Sequence, residues 1–240
     1  MNSFTKKVVL ITGAGKGLGR KLAEAFVERG AFVAANDIAP INLDDTVAAA
    51  QKAAARSSGK IKDYVIDVSK KMPIQAFINQ VLDDWGRIDI LINHAAVKPK
   101  HLLLEMDEWD WQRTLDVNLS APFFMTQVVG RVMRAQGGGV ILNVIPDWDV
   151  ALGPQGKAAF LATQAGLQAI TRQAAIELQP DNIRVNAILA ERKQELLPPD
   201  SPSNGKNPDF NTGLTNLVLF LCSSEAAAVT GQVFSLGHPD

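Results

Sequence analysis

The sequence predicts an α/β fold: a doubly wound parallel sheet of about seven strands with helices on both faces. Three observations carry that expectation. Short, β-branched apolar runs alternate with longer helical patterns along the chain. The runs are apolar at nearly every position, as strands buried on both faces are. A glycine-rich turn links the first run to the first helix, as in parallel βαβ units. At 240 residues the chain suits one large α/β domain or two small ones. No repeat or linker divides it, so one domain over 1–240 is expected.

Taken in order, the strands are expected at Val8–Ile11, Phe32–Asn36, Ile61–Ile66, Ile88–Ile92, Val140–Val144, Ile183–Ile188 and Val233–Leu236. The helices between them are expected at Leu18–Arg29, Leu43–Arg56, Ile74–Trp85, Trp109–Met133, Ala158–Leu178 and Leu214–Cys222. Right-handed crossovers wind such a series into a sheet covered on both sides. One stretch interrupts the rhythm: Glu191–Thr212 holds Pro198, Pro199, Pro202 and Pro208 among Asp, Ser, Asn and Gly. Proline fixes φ and removes a donor, so this region reads as a loop. Its place beyond the sixth strand allows either a lid over a pocket or a plain solvated loop.

Composition excludes several classes of function. Hydrophobic residues make up 47% and charged residues 20%, which suits a globular chain. A formal charge of −1 without a long basic run gives no case for nucleic acid or an anionic membrane. A single cysteine, Cys222, rules out an intrachain disulfide and a cysteine metal cluster. His94, His101 and His238 lack ligand spacing, so no metal is expected. The apolar run Val8–Ile11 is too short, and too soon followed by Thr12-Gly13, for a signal peptide or membrane span. The expected location is the cytoplasm.

Thr12-Gly13-Ala14-Gly15-Lys16-Gly17-Leu18-Gly19 follows the first strand and opens the first helix. Gly13 permits a tight turn, Gly17 lets the backbone approach a pyrophosphate, and Gly19 allows close helix–strand packing. The N–H groups at the helix start then face phosphate. Asp37 ends the second strand 18 residues after Gly19. A carboxylate there accepts hydrogen bonds from both ribose hydroxyls and repels a 2′-phosphate, which favours NAD over NADP. Lys16 points the other way if it reaches a 2′-phosphate.

These residues resemble the short-chain dehydrogenase/reductase family, whose TGxxxGxG turn Thr12–Gly19 matches. Asp67-Val68 looks like that family's adenine-contacting pair. Asn93-His94-Ala95-Ala96 resembles its NNAG motif, with His94 and Ala96 as departures. Asp116-Val117-Asn118-Leu119, Ile183–Ile188 and Val229-Thr230-Gly231-Gln232 resemble three further segments. The resemblance covers nearly the whole chain. It implies a Rossmann-like domain that binds a dinucleotide through Gly13, Lys16, Gly17, Leu18, Gly19, Asp37, Ile38, Asp67, Val68, Asn93 and Ala95. It further implies a homo-dimer or homo-tetramer.

The resemblance also implies a catalytic Ser, Tyr, Lys and Asn, and only Asn118 has its counterpart. Phe160 takes the Tyr position and Gln164 the Lys position. Phenylalanine cannot donate a proton, and glutamine carries no charge to depress a neighbouring pKa. The Ser position falls on Pro146 or Asp147. Ala190-Glu191-Arg192 stands where the family places Pro-Gly and often Thr beside the nicotinamide. The first expectation is therefore an NAD-binding chain that is catalytically impaired, a pseudoenzyme or a regulatory subunit. The alternative is an NAD-dependent oxidoreductase acting on a carbonyl or hydroxyl with a replacement acid/base among Asp147, His94 and Lys157, with Asp149 nearby. Each of these has a plain reading as a cap, a surface charge or a buried polar residue. A third possibility is a scaffold whose cofactor site is vestigial.

The helices Trp109–Met133 and Ala158–Leu178 correspond to the family's subunit interface, so an inactive subunit paired with an active relative is a further expectation. Phe123, Phe124, Met125 and Val128 on the first helix, and Phe160, Leu161, Leu167 and Ile170 on the second, read equally as interface or as core.

Overall fold

Among the described residues, seven strands form one sheet: β1 (Val8–Thr12), β2 (Phe32–Asp37), β3 (Lys60–Val65), β4 (Ile90–Asn93), β5 (Gly139–Asp147), β6 (Ile183–Glu191) and β7 (Val233–Leu236). The computed structural model describes residues 4–147, 155–191 and 208–236. The strand order is β3-β2-β1-β4-β5-β6-β7, and every neighbouring pair is parallel. The chain builds outward from β1 to β3, then crosses back to lay β4 on the other side of β1. That reversal opens a crevice at the carboxyl ends of β1 and β4, where ligands of open α/β sheets bind.

The helices are α1 (Gly17–Glu28), α2 (Pro40–Ala53), α3 (Lys71–Trp85), α4 (Glu108–Leu115), α5 (Ala121–Ala135), α6 (Ala158–Leu178) and α7 (Pro208–Cys222). They divide the core into two layers. One face of the sheet packs Leu22, Phe26, Leu43, Leu214 and Val218 from α1, α2 and α7. The other packs Ile74, Phe77, Met125, Val129 and Ala175 from α3, α5 and α6. The all-buried strand β1 lies between the two layers, which explains its unbroken apolar run.

Two expectations need correction. The long helix over Trp109–Met133 is broken by a π-helical turn, Asp116–Ser120, between α4 and α5. Pro122 has no N–H to bond the carbonyl four residues back, at Asn118, so the α ladder cannot pass through this point. The loop expected over 191–212 is shorter at both ends. Glu191 closes β6, and α7 begins at Pro208, because proline's fixed φ suits a first helical position. The remainder of that region, Arg192 included, lies outside the described residues, as do Asp149 and His238.

Of the side chains that read as interface or core, Met125, Val128, Phe160 and Leu167 are buried within the chain, and Phe123 is 43% exposed. Among the described residues no helix is long and apolar enough to cross a membrane, and no His/Cys/Asp/Glu cluster could hold a metal ion. The single tyrosine, Tyr64, lies on β3. Its hydroxyl donates to Asp84 Oδ2 at 2.6 Å and accepts from Trp85 Nε1 at 3.2 Å. Burial and the neighbouring carboxylate push its pKa well above the ordinary phenol range. Cys222 is buried and its thiol is pushed up to about 12, which leaves it protonated and unreactive.

Candidate functional site

The glycine turn is fixed from three sides. Thr12 Oγ1 accepts from the backbone N–H groups of His94 at 3.0 Å and Ala95 at 3.2 Å, tying the end of β1 to the end of β4. Asp37 Oδ2 accepts from Gly15 N at 3.0 Å, and Asp37 Oδ1 accepts from Ala39 N, also at 3.0 Å. Arg20 donates to the Gly15 carbonyl from Nη2 at 2.7 Å and to Thr46 Oγ1 from Nε at 3.1 Å. Thr46 Oγ1 lies 3.0 Å from the Ala14 carbonyl and 3.1 Å from that of Gly15. A rigid turn can therefore hold its N–H groups in place before any ligand arrives.

Two glycines show why no larger residue serves. A Cβ on Gly15 would stand 2.6 Å from Asp37 Oδ2, and one on Gly19 would drive into the Gly13 carbonyl. Gly17 adopts φ +57° with nothing within 4 Å of its missing Cβ, so the chain opens onto free space there. The adjoining α1 has no side-chain cap at Lys16, and its first-turn N–H groups lack partners within the helix.

The other predicted binding residues lie on the turn, at the start of α1 and at or after the ends of β2, β3 and β4. Lys16 is exposed and Leu18 half-buried. Ile38 is 61% exposed beside Asp37, and Val68 is buried. Asp67 Oδ1 accepts from Ser69 N at 2.9 Å, shaping the turn after β3. His94 Nδ1 lies 3.1 Å from the Gly13 carbonyl, which fixes it as the protonated nitrogen. Burial lowers the His94 pKa, so the ring is neutral at pH 7. It braces the glycine turn.

The end toward α6 is built differently. Asn118 is buried, and both atoms of its amide bond one backbone unit: Oδ1 accepts from Val97 N at 2.8 Å, and Nδ2 donates to Val97 O at 2.9 Å. Asn118 lies within the π turn. Phe160 is 1% exposed, with Lys98 Nζ 5.6 Å above its ring. The Gln164 side-chain amide donates to the Pro146 carbonyl, joining α6 directly to the end of β5. Asn93 Nδ2 donates to Asn143 Oδ1 at 2.8 Å, and Asn143 Nδ2 donates to Thr171 Oγ1 at 2.8 Å. Among the described residues, Asn93, Asn118, Pro146, Phe160 and Gln164 border a cavity of about 20 Å³, room for about one water. Asn93 Oδ1 is buried and has no protein partner, an acceptor that such a water would satisfy.

Of the three replacement acid/base candidates, His94 is held at the glycine turn. Lys157 is buried at the start of α6, one turn before Phe160. The Asp147 side chain lies outside the described residues. Sequence reasoning missed Arg20, Thr46, Asn143 and Thr171. Arg20 directly follows the glycine turn, but nothing in the sequence marks Thr46 as its partner across α2.

The model of the short chain dehydrogenase family matches residues 7–191. The chain belongs to that family. It is 35% identical to the 3-oxoacyl-(acyl-carrier-protein) reductase FabG of Thermotoga maritima, over 96% of each chain. It is 34% identical to BbsD of Thauera aromatica, a subunit of a substituted succinyl-CoA dehydrogenase, over 95% of this chain and 93% of that one. Among solved structures, an NAD+-bound xylitol dehydrogenase superposes with a TM-score of 0.82 at 25% identity, covering 97% of this chain and 98% of that one. Short-chain dehydrogenases bind nicotinamide dinucleotides at the carboxyl edge described above. In this member the glycine turn has the space and the donors for a pyrophosphate, and Asp37 has lone pairs remaining for a ribose. The α6 end presents neither a hydroxyl at 160 nor an ammonium at 164.

Proposed function

We propose that this short-chain dehydrogenase binds NAD(H) and does not carry out proton-coupled hydride transfer by itself. One observation carries the reading: the side chains at 160 and 164 are a buried phenyl ring and an amide bonded to Pro146 O. When bound, the dinucleotide supplies a hydride donor or acceptor. This chain's residues would orient it: the N–H groups of Gly17, Leu18 and Gly19 toward the pyrophosphate, Asp37 toward the adenosine ribose, and Ile38 and Val68 along the adenine. The Asp37 carboxylate would disfavour a 2′-phosphate, hence NAD over NADP. A group able to move a proton is missing where the family needs one, and positioned acid/base catalysis is typically worth about 10²–10⁴-fold. Such a chain has a use as a non-catalytic subunit, as part of a homo-oligomer or beside an active relative. The naming of BbsD as a dehydrogenase subunit supports assembly with other subunits, whichever of them carries the chemistry.

A second reading is an active NAD-dependent oxidoreductase on an oxo-acyl, ketone or sugar substrate, with Lys157 or Asp147 as acid/base. It is favoured by the relatives, which are named as a reductase and dehydrogenases. One comparison separates the two. Calorimetry with NADH, and turnover with a panel of carbonyl substrates, are measured for the wild type and for Phe160→Tyr/Gln164→Lys. The first reading expects NADH binding by both and turnover by the double variant alone. Wild-type turnover that is lost in Lys157→Ala or Asp147→Ala would establish the second reading. Failure of the wild type to bind NADH would remove the first.

A further inference from the structure

We infer that Arg20 is a positioning residue for the choice of nucleotide: it acts through Gly15 to hold the Asp37 carboxylate where it repels a 2′-phosphate. This inference rests on the proposed NAD(H) site and adds what sets the direction of its carboxylate. Gly15 stands between two opposite charges. Its N–H donates to Asp37 Oδ2 at 3.0 Å. Its carbonyl accepts from Arg20 Nη2 at 2.7 Å, with Nε of the same guanidinium 3.3 Å away. A hydrogen bond from a charged donor is roughly twice as strong as one between neutral groups, so this carbonyl has a firm direction. Thr46 Oγ1, on a buried side chain, accepts from Arg20 Nε at 3.1 Å and lies 3.1 Å from the same carbonyl. Arg20 Nη2 also reaches the Asn42 carbonyl at 3.4 Å and Asp45 Oδ2 at 3.2 Å. The guanidinium is engaged beneath the turn, which suits a brace and not a ligand of phosphate.

Peptide geometry carries that direction to the carboxylate. Among the described residues no peptide bond is cis, and in a planar trans peptide the C=O and N–H point opposite ways. The Ala14 carbonyl lies 3.0 Å from Thr46 Oγ1. The N–H of that same peptide, the Gly15 N–H, is therefore turned away from Thr46 and meets Asp37. The Gly15 carbonyl faces Arg20, so the N–H of Lys16 points away from the guanidinium as well. Two successive peptides are thus locked with their carbonyls toward Arg20 and Thr46 and their N–H groups the other way. The bond to Gly15 ties the Asp37 carboxylate to the glycine turn, whereas its bond to Ala39 N ties it to its own segment. Without Arg20 the Gly15 carbonyl loses its charged donor and the turn loosens. The carboxylate is then free to swing aside, and a 2′-phosphate meets less of its charge.

The test is calorimetric titration of the full chain with NADH and with NADPH, for the wild type, Arg20→Gln, Asp37→Ala and the double variant. The wild type is expected to favour NADH. Arg20→Gln is expected to weaken NADH about fivefold and to leave NADPH within about twofold, so the preference shrinks. In the Asp37→Ala background the same substitution is expected to leave the ratio of the two affinities unchanged, because a residue that acts through Asp37 has nothing left to act through. A ratio that moves there overturns the inference. Equal weakening of both nucleotides by Arg20→Gln also overturns it and leaves Arg20 a structural brace alone. So does a greater loss for NADPH than for NADH, which would put Arg20 in contact with the 2′-phosphate. Wild-type binding of neither nucleotide overturns the NAD(H) site itself, and wild-type binding without preference overturns the role given to Asp37. Should Arg20→Gln not fold, Arg20→Lys keeps the charge without the planar fork and is expected to narrow the preference in the same direction. An unchanged preference in a folded Arg20→Lys would then sink the inference.

Discussion

The two ends of the carboxyl edge use hydrogen bonds of the same kind to opposite effect. At the glycine turn, Arg20, Thr46 and Asp37 bond backbone groups of Gly15, while the space around Gly17 stays open. At the α6 end, Asn118 bonds the backbone of Val97, Gln164 bonds that of Pro146, and Phe160 stands with them at the border of the cavity. Satisfying a polar group costs the protein little in either arrangement. The difference lies in what is left for a visitor. A site can thus be narrowed by side chains that turn their hydrogen bonds to the backbone, with a buried ring beside them.

The contrast can be broken or sharpened by substitution. The largest effect is expected at Phe160→Ala, which removes a fully buried ring. Stability should fall by about 3–5 kcal/mol, read by denaturant unfolding, with NADH affinity unchanged. A matching loss of affinity would mean that the two ends are coupled. Asp37→Ala should do the reverse. It removes a carboxylate that accepts two backbone hydrogen bonds and that the proposed site assigns to the ribose, and is expected to weaken NADH binding by about 10–100-fold, as measured by calorimetry. Thr46→Val takes away the hydroxyl beneath the turn. It should cost about 1–2 kcal/mol of stability and loosen nucleotide binding by less than Asp37→Ala does.

The smallest effect concerns pH. Burial holds the His94 pKa below its ordinary 6.5. The folded state therefore resists protonation, and the unfolded chain takes up the proton first. The contribution to stability is fully present above pH 6.5 and is lost as pH falls below it toward the depressed folded value. His94→Asn should flatten the decline of Tm over that acidic window. An unchanged slope would show that other groups, such as Asp89 with its lowered pKa beside Arg87 and Lys7, set the acid limit.

The fold was legible because its signals are local. Apolar runs with turn residues between them marked all seven strands, and the spacing of Gly13, Gly17 and Gly19 marked the switch point. Where expectation failed, a proline had two meanings. Pro122 was read as part of a continuous helix and instead breaks one. Pro208 was read as loop and instead starts a helix. At the candidate site, the residue types at 37, 118, 160 and 164 were readable, but their partners were not. The Gln164–Pro146 contact joins positions 18 residues apart, and the Arg20–Thr46 contact joins positions 26 apart. Pairings across elements follow from register, which no short motif encodes.

One consequence follows from Tyr64 and its bonds to Asp84 and Trp85. A protein with a single phenol offers a clean optical background, and here that phenol resists ionisation. Ultraviolet absorbance at the phenolate band should stay flat as the native protein is titrated past the ordinary phenol value near 10. Any phenol introduced by Phe160→Tyr would then report its own ionisation unmixed. The same spectrum, recorded with and without Gln164→Lys, would show how far a neighbouring ammonium at that position shifts it. The native tyrosine, held un-ionised by its own neighbours, makes the protein its own blank.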